Sequence, residues 1–201
     1  MLSKFCTGFV SMFCGALILL HPLAASADMD LHDSIFNECT NAANPFTCLY
    51  DEQIKRMQRF DEIVQSIQNL LENSVQQVEN DGVTEEQAER YRELAALSPR
   101  QQDERWQQYL SASEEKRNEY YGLPEAPLIA RHAVDLSYRQ AVTVNSLAMI
   151  FCAANVNACI ESGYVGGILD VYADALPYLR NTRSDLTRQT SELSELLNQR
   201  P

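Results

Sequence analysis

The side chains of this 201-residue chain that could do chemistry are its cysteines, its few histidines and a surplus of carboxylates. Cys39, Cys48, Cys152 and Cys159 stand too far apart for a zinc site, which wants cysteines about two to four residues apart with histidines at set spacing. His32 and His132 are each isolated, and no Cys-x-x-Cys redox pair is present. Structural disulfides are therefore the expected fate of these four thiols. Asp135 follows His132 by three residues and can share its helix face, but no nucleophile at a strained turn accompanies them, so a surface pair is expected rather than a dyad. Glu85-Glu86 and Glu114-Glu115 lie among Arg and Lys and read as solvated helix faces. The glycines of 163–167 lack the Lys and Ser/Thr of a phosphate loop and do not follow a strand. No enzyme activity, metal or cofactor is expected. What remains is contact chemistry: the lone Trp106 with Tyr109, and further tyrosines at 120, 121, 138, 164, 172 and 178, whose amphipathic rings suit an interaction surface.

The compartment decides whether the thiols can pair. Residues 1–27 have the form of a secretory leader: Lys4, an apolar run over 9–20, and Ala25-Ser26-Ala27 as a small-x-small cleavage site before Asp28. Ser11-Met12-Phe13 are too bulky before Cys14 for a lipidation box. Cleavage after Ala27 implies a periplasmic or secreted protein in an oxidising compartment. The chain carries a formal net charge of −12, and the leader holds Lys4 but no acid, so its removal makes the protein more acidic still. That charge disfavours nucleic acid and anionic lipid; it suits a basic or envelope-associated protein partner, or simple solubility.

The elements that must position these residues are helices. Asn44-Pro45 is a cap followed by a proline at the first helical position, and Tyr50, Ile54, Met57, Phe60, Val64, Ile67, Leu71, Val75 and Val78 then recur every three or four residues. This predicts a helix over 45–79. Thr84 with Gln87, and Ser98 with Gln101, are capping-box patterns that open helices over 84–97 and 99–121. Residues 122–127 read as a linker. A more hydrophobic helix over 128–161 should hold the core. Its apolar run over 141–160 carries Thr143, Asn145, Ser146, Asn155 and Asn157, too many polar groups for lipid, so no membrane span is expected in the mature chain. The last helix, over 167–198, buries Ile168, Val171, Leu176, Leu179, Leu186, Leu193 and Leu197 and is kinked or split by Pro177. No segment alternates with period two, so 28–201 reads as one all-α, disulfide-stapled helical bundle with long amphipathic helices.

On one continuous helix, Cys152 and Cys159 would be about 10.5 Å apart along the axis, beyond the roughly 4.4–6.8 Å of bridged Cα atoms. Antiparallel packing then pairs Cys48 with Cys152 and Cys39 with Cys159, which is the arrangement slightly favoured. Two local bridges, Cys39–Cys48 and Cys152–Cys159, require Asn155-Val156-Asn157 to break the helix.

The segment Cys39-Thr40-Asn41-Ala42 with Cys48-Leu49-Tyr50-Asp51-Glu52, then Phe60-Asp61-Glu62-Ile63, resembles the N-terminal half of the LprI-type family of small exported lysozyme inhibitors. Trp106-Gln107-Gln108-Tyr109 is similar to that family's Trp-x-x-aromatic element. The resemblance covers about 39–117 and implies binding of a basic muramidase through an acidic surface. It departs where Leu110 stands in place of the family's Arg, where no cysteine closes the second helix, and throughout 128–201. In its long Gln/Asn-rich helices, as at Gln65-Ser66-Ile67-Gln68-Asn69, the chain also resembles TrbJ-type minor pilus subunits of type IV secretion systems. That likeness implies a structural subunit, self-associating or built into an envelope machine. An exported helical protein-binding protein is the reading preferred, with Trp106 and Tyr109 as contact residues beside acidic side chains. The structural subunit is its alternative, and would need an exposed stripe on the last helix.

Overall fold

A computed structural model describes residues 27–199, and every regular element among them is helical. The expected leader, apart from Ala27, lies outside the described residues. The helices are α1 (Ala27–Thr40), α2 (Pro45–Asp81), α3 (Glu85–Ala95), α4 (Pro99–Ser111), α5 (Glu114–Tyr120), α6 (Ala126–Ala154), α7 (Val156–Glu161) and α8 (Val165–Asn198), with a 3-10 turn at Leu123–Glu125. No helix among the described residues is long and apolar enough to cross a membrane.

Local chemistry sets the helix starts. The Asn44 side chain accepts hydrogen bonds from the backbone N–H of Phe46 and Thr47, at 3.1 and 3.2 Å, before Pro45 opens α2. Thr84 with Gln87 and Ser98 with Gln101 form reciprocal capping boxes at α3 and α4. The helix expected over 99–121 is two. Ala112 is extended, and Ser113 accepts from the N–H of Lys116 at 3.3 Å, so a serine cap followed by two glutamates starts α5 afresh. Pro177 lies inside α8, which runs through it from Val165 to Asn198.

The chain forms two compact units, to which α2, α6 and α8 each contribute a part. The first, within the described residues, comprises 27–57 and 139–176. Its core gathers Ile35, Leu49, Val144, Leu147 and Ile168 with three of the disulfide cysteines. Phe46 and Phe36 meet the Phe151 ring edge-on, at 5.4 and 6.3 Å between centroids. Gly167 lies under Tyr50, where an added Cβ would come within 2.9 Å of the ring, so only glycine permits that approach.

Both disulfides belong to this unit, and they are local. Cys39 bridges Cys48 and Cys152 bridges Cys159, with Cα separations of 5.4 and 5.5 Å. The cross-linked arrangement is overturned because the helix does not continue past 154. Asn155 leaves helical geometry (φ −127°, ψ 45°), its side-chain amide donates to the Phe151 carbonyl at 2.9 Å, and α7 restarts at Val156. The Phe151 carbonyl thus accepts both the backbone N–H and the side-chain amide of Asn155, and the turn there lets two cysteines seven residues apart meet.

The second unit comprises 58–138 and 177–199 of the described residues. Phe60, Val64, Ile67 and Leu71 line the buried face of α2 here, and Leu186, Leu193 and Leu197 that of α8. Residues 123–127, read as part of a linker, are all buried.

Candidate functional site

Trp106 and Tyr109 project from α4 one turn apart, so their rings face the same side. They stack at 5.5 Å between centroids and 20° between planes. His132 of α6 stacks on Trp106 at 5.9 Å and 13°. Tyr121, from the turn after α5, meets Tyr109 edge-on at 5.1 Å. The structure thus brings the two predicted contact residues together and adds two rings from other elements. Trp106, Tyr109, Tyr121 and His132 are all half-buried. The space among them is only about 10 Å³, too small for a ligand, so the rings form a filled face and not a pocket. Leu110, four residues after Trp106, is 47 % exposed beside it on the same helix.

The charges next to this face are of both signs: the Asp103 carboxylate stands beside His132, and two guanidiniums lie over the tyrosines. The Arg105 guanidinium lies 5.0 Å from the centroid of Tyr121, and that of Arg117 lies 5.7 Å from Tyr109. A second nearby carboxylate, Glu125, is 2 % exposed and fully engaged. It accepts from Arg90, from Arg105 at 3.4 Å and from the Gly122 N–H at 3.2 Å. Arg90 also donates to the Tyr120 carbonyl at 3.0 Å. Glu125 therefore ties the 3-10 turn to α3 and α4 and fixes where Tyr121 stands. A glutamate in an apparent linker gave no signal of this; only its partners, 35 and 20 residues upstream, reveal it.

His132 Nδ1 lies 3.5 Å from Asp103 Oδ1. Asp135 accepts from Arg183 at 2.8 Å, while Arg183 also lies 4.7 Å over the Tyr138 ring. Among the described residues no group of three or more His, Cys, Asp or Glu is placed to hold a metal ion. A larger cleft, of about 360 Å³, shares Gln102 and Leu128 with the aromatic face and runs along α8.

No protein-family model matches this chain, and no curated protein and no solved structure matches it.

Proposed function

We propose that this is an exported, periplasmic or secreted protein that binds another protein through the Trp106 face, without catalysing a reaction. The observation that carries the reading is the stack of Trp106 with Tyr109 and His132, rimmed by Arg105 and Arg117 and left half-open to solvent. Trp, Tyr and Arg are the residues that most often dominate binding energy, the two aromatics because they bury large area with little entropy lost and Arg because its planar fork bonds carboxylates and stacks on rings. Here their positions are set in advance by ring stacking and by the buried Glu125, which lowers the ordering cost of association. Two disulfides fit an oxidising compartment. The net charge of −12 draws a basic or envelope-associated partner from a distance, and the two guanidiniums ask for a carboxylate on that partner at the contact itself.

The test is capture from an envelope extract by the oxidised protein purified after export, compared with Trp106→Ala and Leu110→Asp. Leu110 is exposed, so its replacement leaves the fold intact. A partner held by the parent and weakened about thirtyfold or more by both variants supports the reading. Equal recovery by all three proteins sinks it.

The alternative, a structural subunit of an envelope machine, has a specific surface in the first unit. Ile160 is 57 % exposed, and Val156, four residues before it on α7, is exposed too. On the last helix, Leu186, Leu193 and Leu197 are 1 %, 0 % and 0 % exposed, so these three are not available to such a contact. Recovery of the protein itself, abolished by Ile160→Asp but not by Leu110→Asp, would select this alternative.

A further inference from the structure

The cleft along α8 has a chemistry distinct from the aromatic face. Thr187, Thr190, Ser191 and Ser194 lie along one side of α8 and line it. Each hydroxyl donates to the carbonyl four residues earlier: Thr187 to Arg183 and Thr190 to Leu186 at 2.7 Å, Ser194 to Thr190 at 2.8 Å, Ser191 to Thr187 at 3.0 Å. A hydroxyl whose hydrogen is spent in this way offers the cleft only lone pairs. The row is therefore acceptor-only, and water or a ligand that meets it must donate.

Tyr91 adds an aromatic ring to the cleft. Its side chain lines the cleft and is 7 % exposed, with the hydroxyl reaching solvent, where it can bond water or a ligand. Beside it, Val134 and Leu186 supply a buried apolar floor. The charged residues that line the cleft are of both signs. Asp135 is held by Arg183. Arg131 spends one donor on Gln102 and keeps the rest of its fork, and Glu195 has no ion pair among the described residues. A volume of about 360 Å³ is that of a small-ligand site.

We propose that this cleft binds the zwitterion of an apolar amino acid or short peptide. The ligand's ammonium group donates to the hydroxyl row and to Glu195, its carboxylate accepts from the free donors of Arg131, and its side chain covers Val134, Leu186 and the Tyr91 ring. Neither a simple cation nor a simple anion uses both charges, and an apolar molecule leaves the acceptor row dry.

Isothermal titration of the oxidised protein, purified after export, with L-leucine and with the dipeptide Leu-Leu tests this. Binding with a Kd of about 1 mM or tighter is expected for at least one, and the tighter of the two says whether the ligand is a free amino acid or a peptide. N-acetyl-L-leucine, which lacks the ammonium, and L-leucinamide, which lacks the carboxylate, should each bind at least about tenfold more weakly than L-leucine. Arg131→Gln and Glu195→Gln, both at exposed positions, should each cost about tenfold or more without shifting the thermal melt. No heat from either probe up to about 10 mM overturns the proposal. So does binding that survives both blocked ends and both variants, which would be apolar partition alone. Loss with Glu195→Gln but not Arg131→Gln overturns it in favour of an amine site.

Discussion

The two units of this protein are held together by opposite means. The first, which holds both disulfides, closes covalent loops of nine and seven residues around an aliphatic and aromatic core, with a buried amide pair, Gln53 and Asn145, at 3.2 Å. The second has no disulfide among its described residues. It relies on a carboxylate sunk among arginines, on guanidiniums laid over tyrosines, and on ion pairs such as Asp135–Arg183. Covalent staples fix geometry whatever the solvent, whereas charged networks answer to pH, salt and ligands. Both candidate sites, the aromatic face and the hydroxyl-lined cleft, lie in the second unit. The half that can respond is the half that carries the chemistry.

The largest expected effect is on the first unit. Each local bridge should contribute about 2.5 kcal/mol in the chain-entropy model, less than the long loops of a cross-linked arrangement would. Reduction should therefore lower the thermal midpoint by several degrees. Trp106 is the chain's one tryptophan and stands in the second unit, so its fluorescence reports that unit separately from far-UV circular dichroism. The dichroism transition should move further than the fluorescence transition on reduction. Coincident shifts would show that the units unfold as one and would break the comparison.

Glu125→Ala addresses the second unit. It removes a buried acceptor of three donors, but Arg90 and Arg105, with side chains 46 % and 32 % exposed, can turn to water. The cost should be about 2 kcal/mol, below the roughly 3–5 kcal/mol seen when a fully buried partner charge is stranded. Here the order reverses: the fluorescence midpoint should fall at least as far as the dichroism midpoint. A stability change under about 0.5 kcal/mol, the usual range for surface substitutions, would mean that Glu125 holds nothing in place.

How much of this was legible in the sequence follows from how local each feature is. The caps at Asn44, Thr84 and Ser98 depend on three or four neighbouring residues, and the sequence shows them. The stripe Phe60, Val64, Ile67 and Leu71 is equally plain. Earlier in α2 the buried face runs through Leu49 and Gln53 instead of Tyr50 and Ile54. A glutamine is invisible to a hydrophobic pattern, and its burial makes sense only once Asn145 is placed opposite. The cysteine pairing turned on one asparagine, Asn155, whose choice between continuing a helix and capping its end is close in energy. At the candidate site, Trp106 and Tyr109 could be seen as neighbours, while His132 and Tyr121 join them through tertiary packing that no spacing encodes. Glu125 looked like a solvated loop residue because its partners lie on α3 and α4.

The smallest expected effect concerns Tyr178, which belongs to the second unit and makes its response to pH visible. Burial, and then the Asp61 carboxylate that accepts its hydrogen bond at 2.7 Å, raise the phenol above its ordinary value of 10.0. The neutral form is the one favoured in the fold. Below pH 10 the phenol is protonated in both folded and unfolded chains, and its contribution is fully present. As pH rises past 10 the unfolded chain loses the proton first, so stability declines until the raised folded value is passed. Tyr178 is 41 % exposed, so the loss is modest. Tyr178→Phe keeps the edge-on ring contact with Phe60, at 6.0 Å, and removes the titration. Its melting temperature, followed by Trp106 fluorescence, should fall less between pH 9 and 11 than the parent's, a window of about one unit either side of the ordinary tyrosine value. Parallel curves would mean that the alkaline response of this unit arises elsewhere.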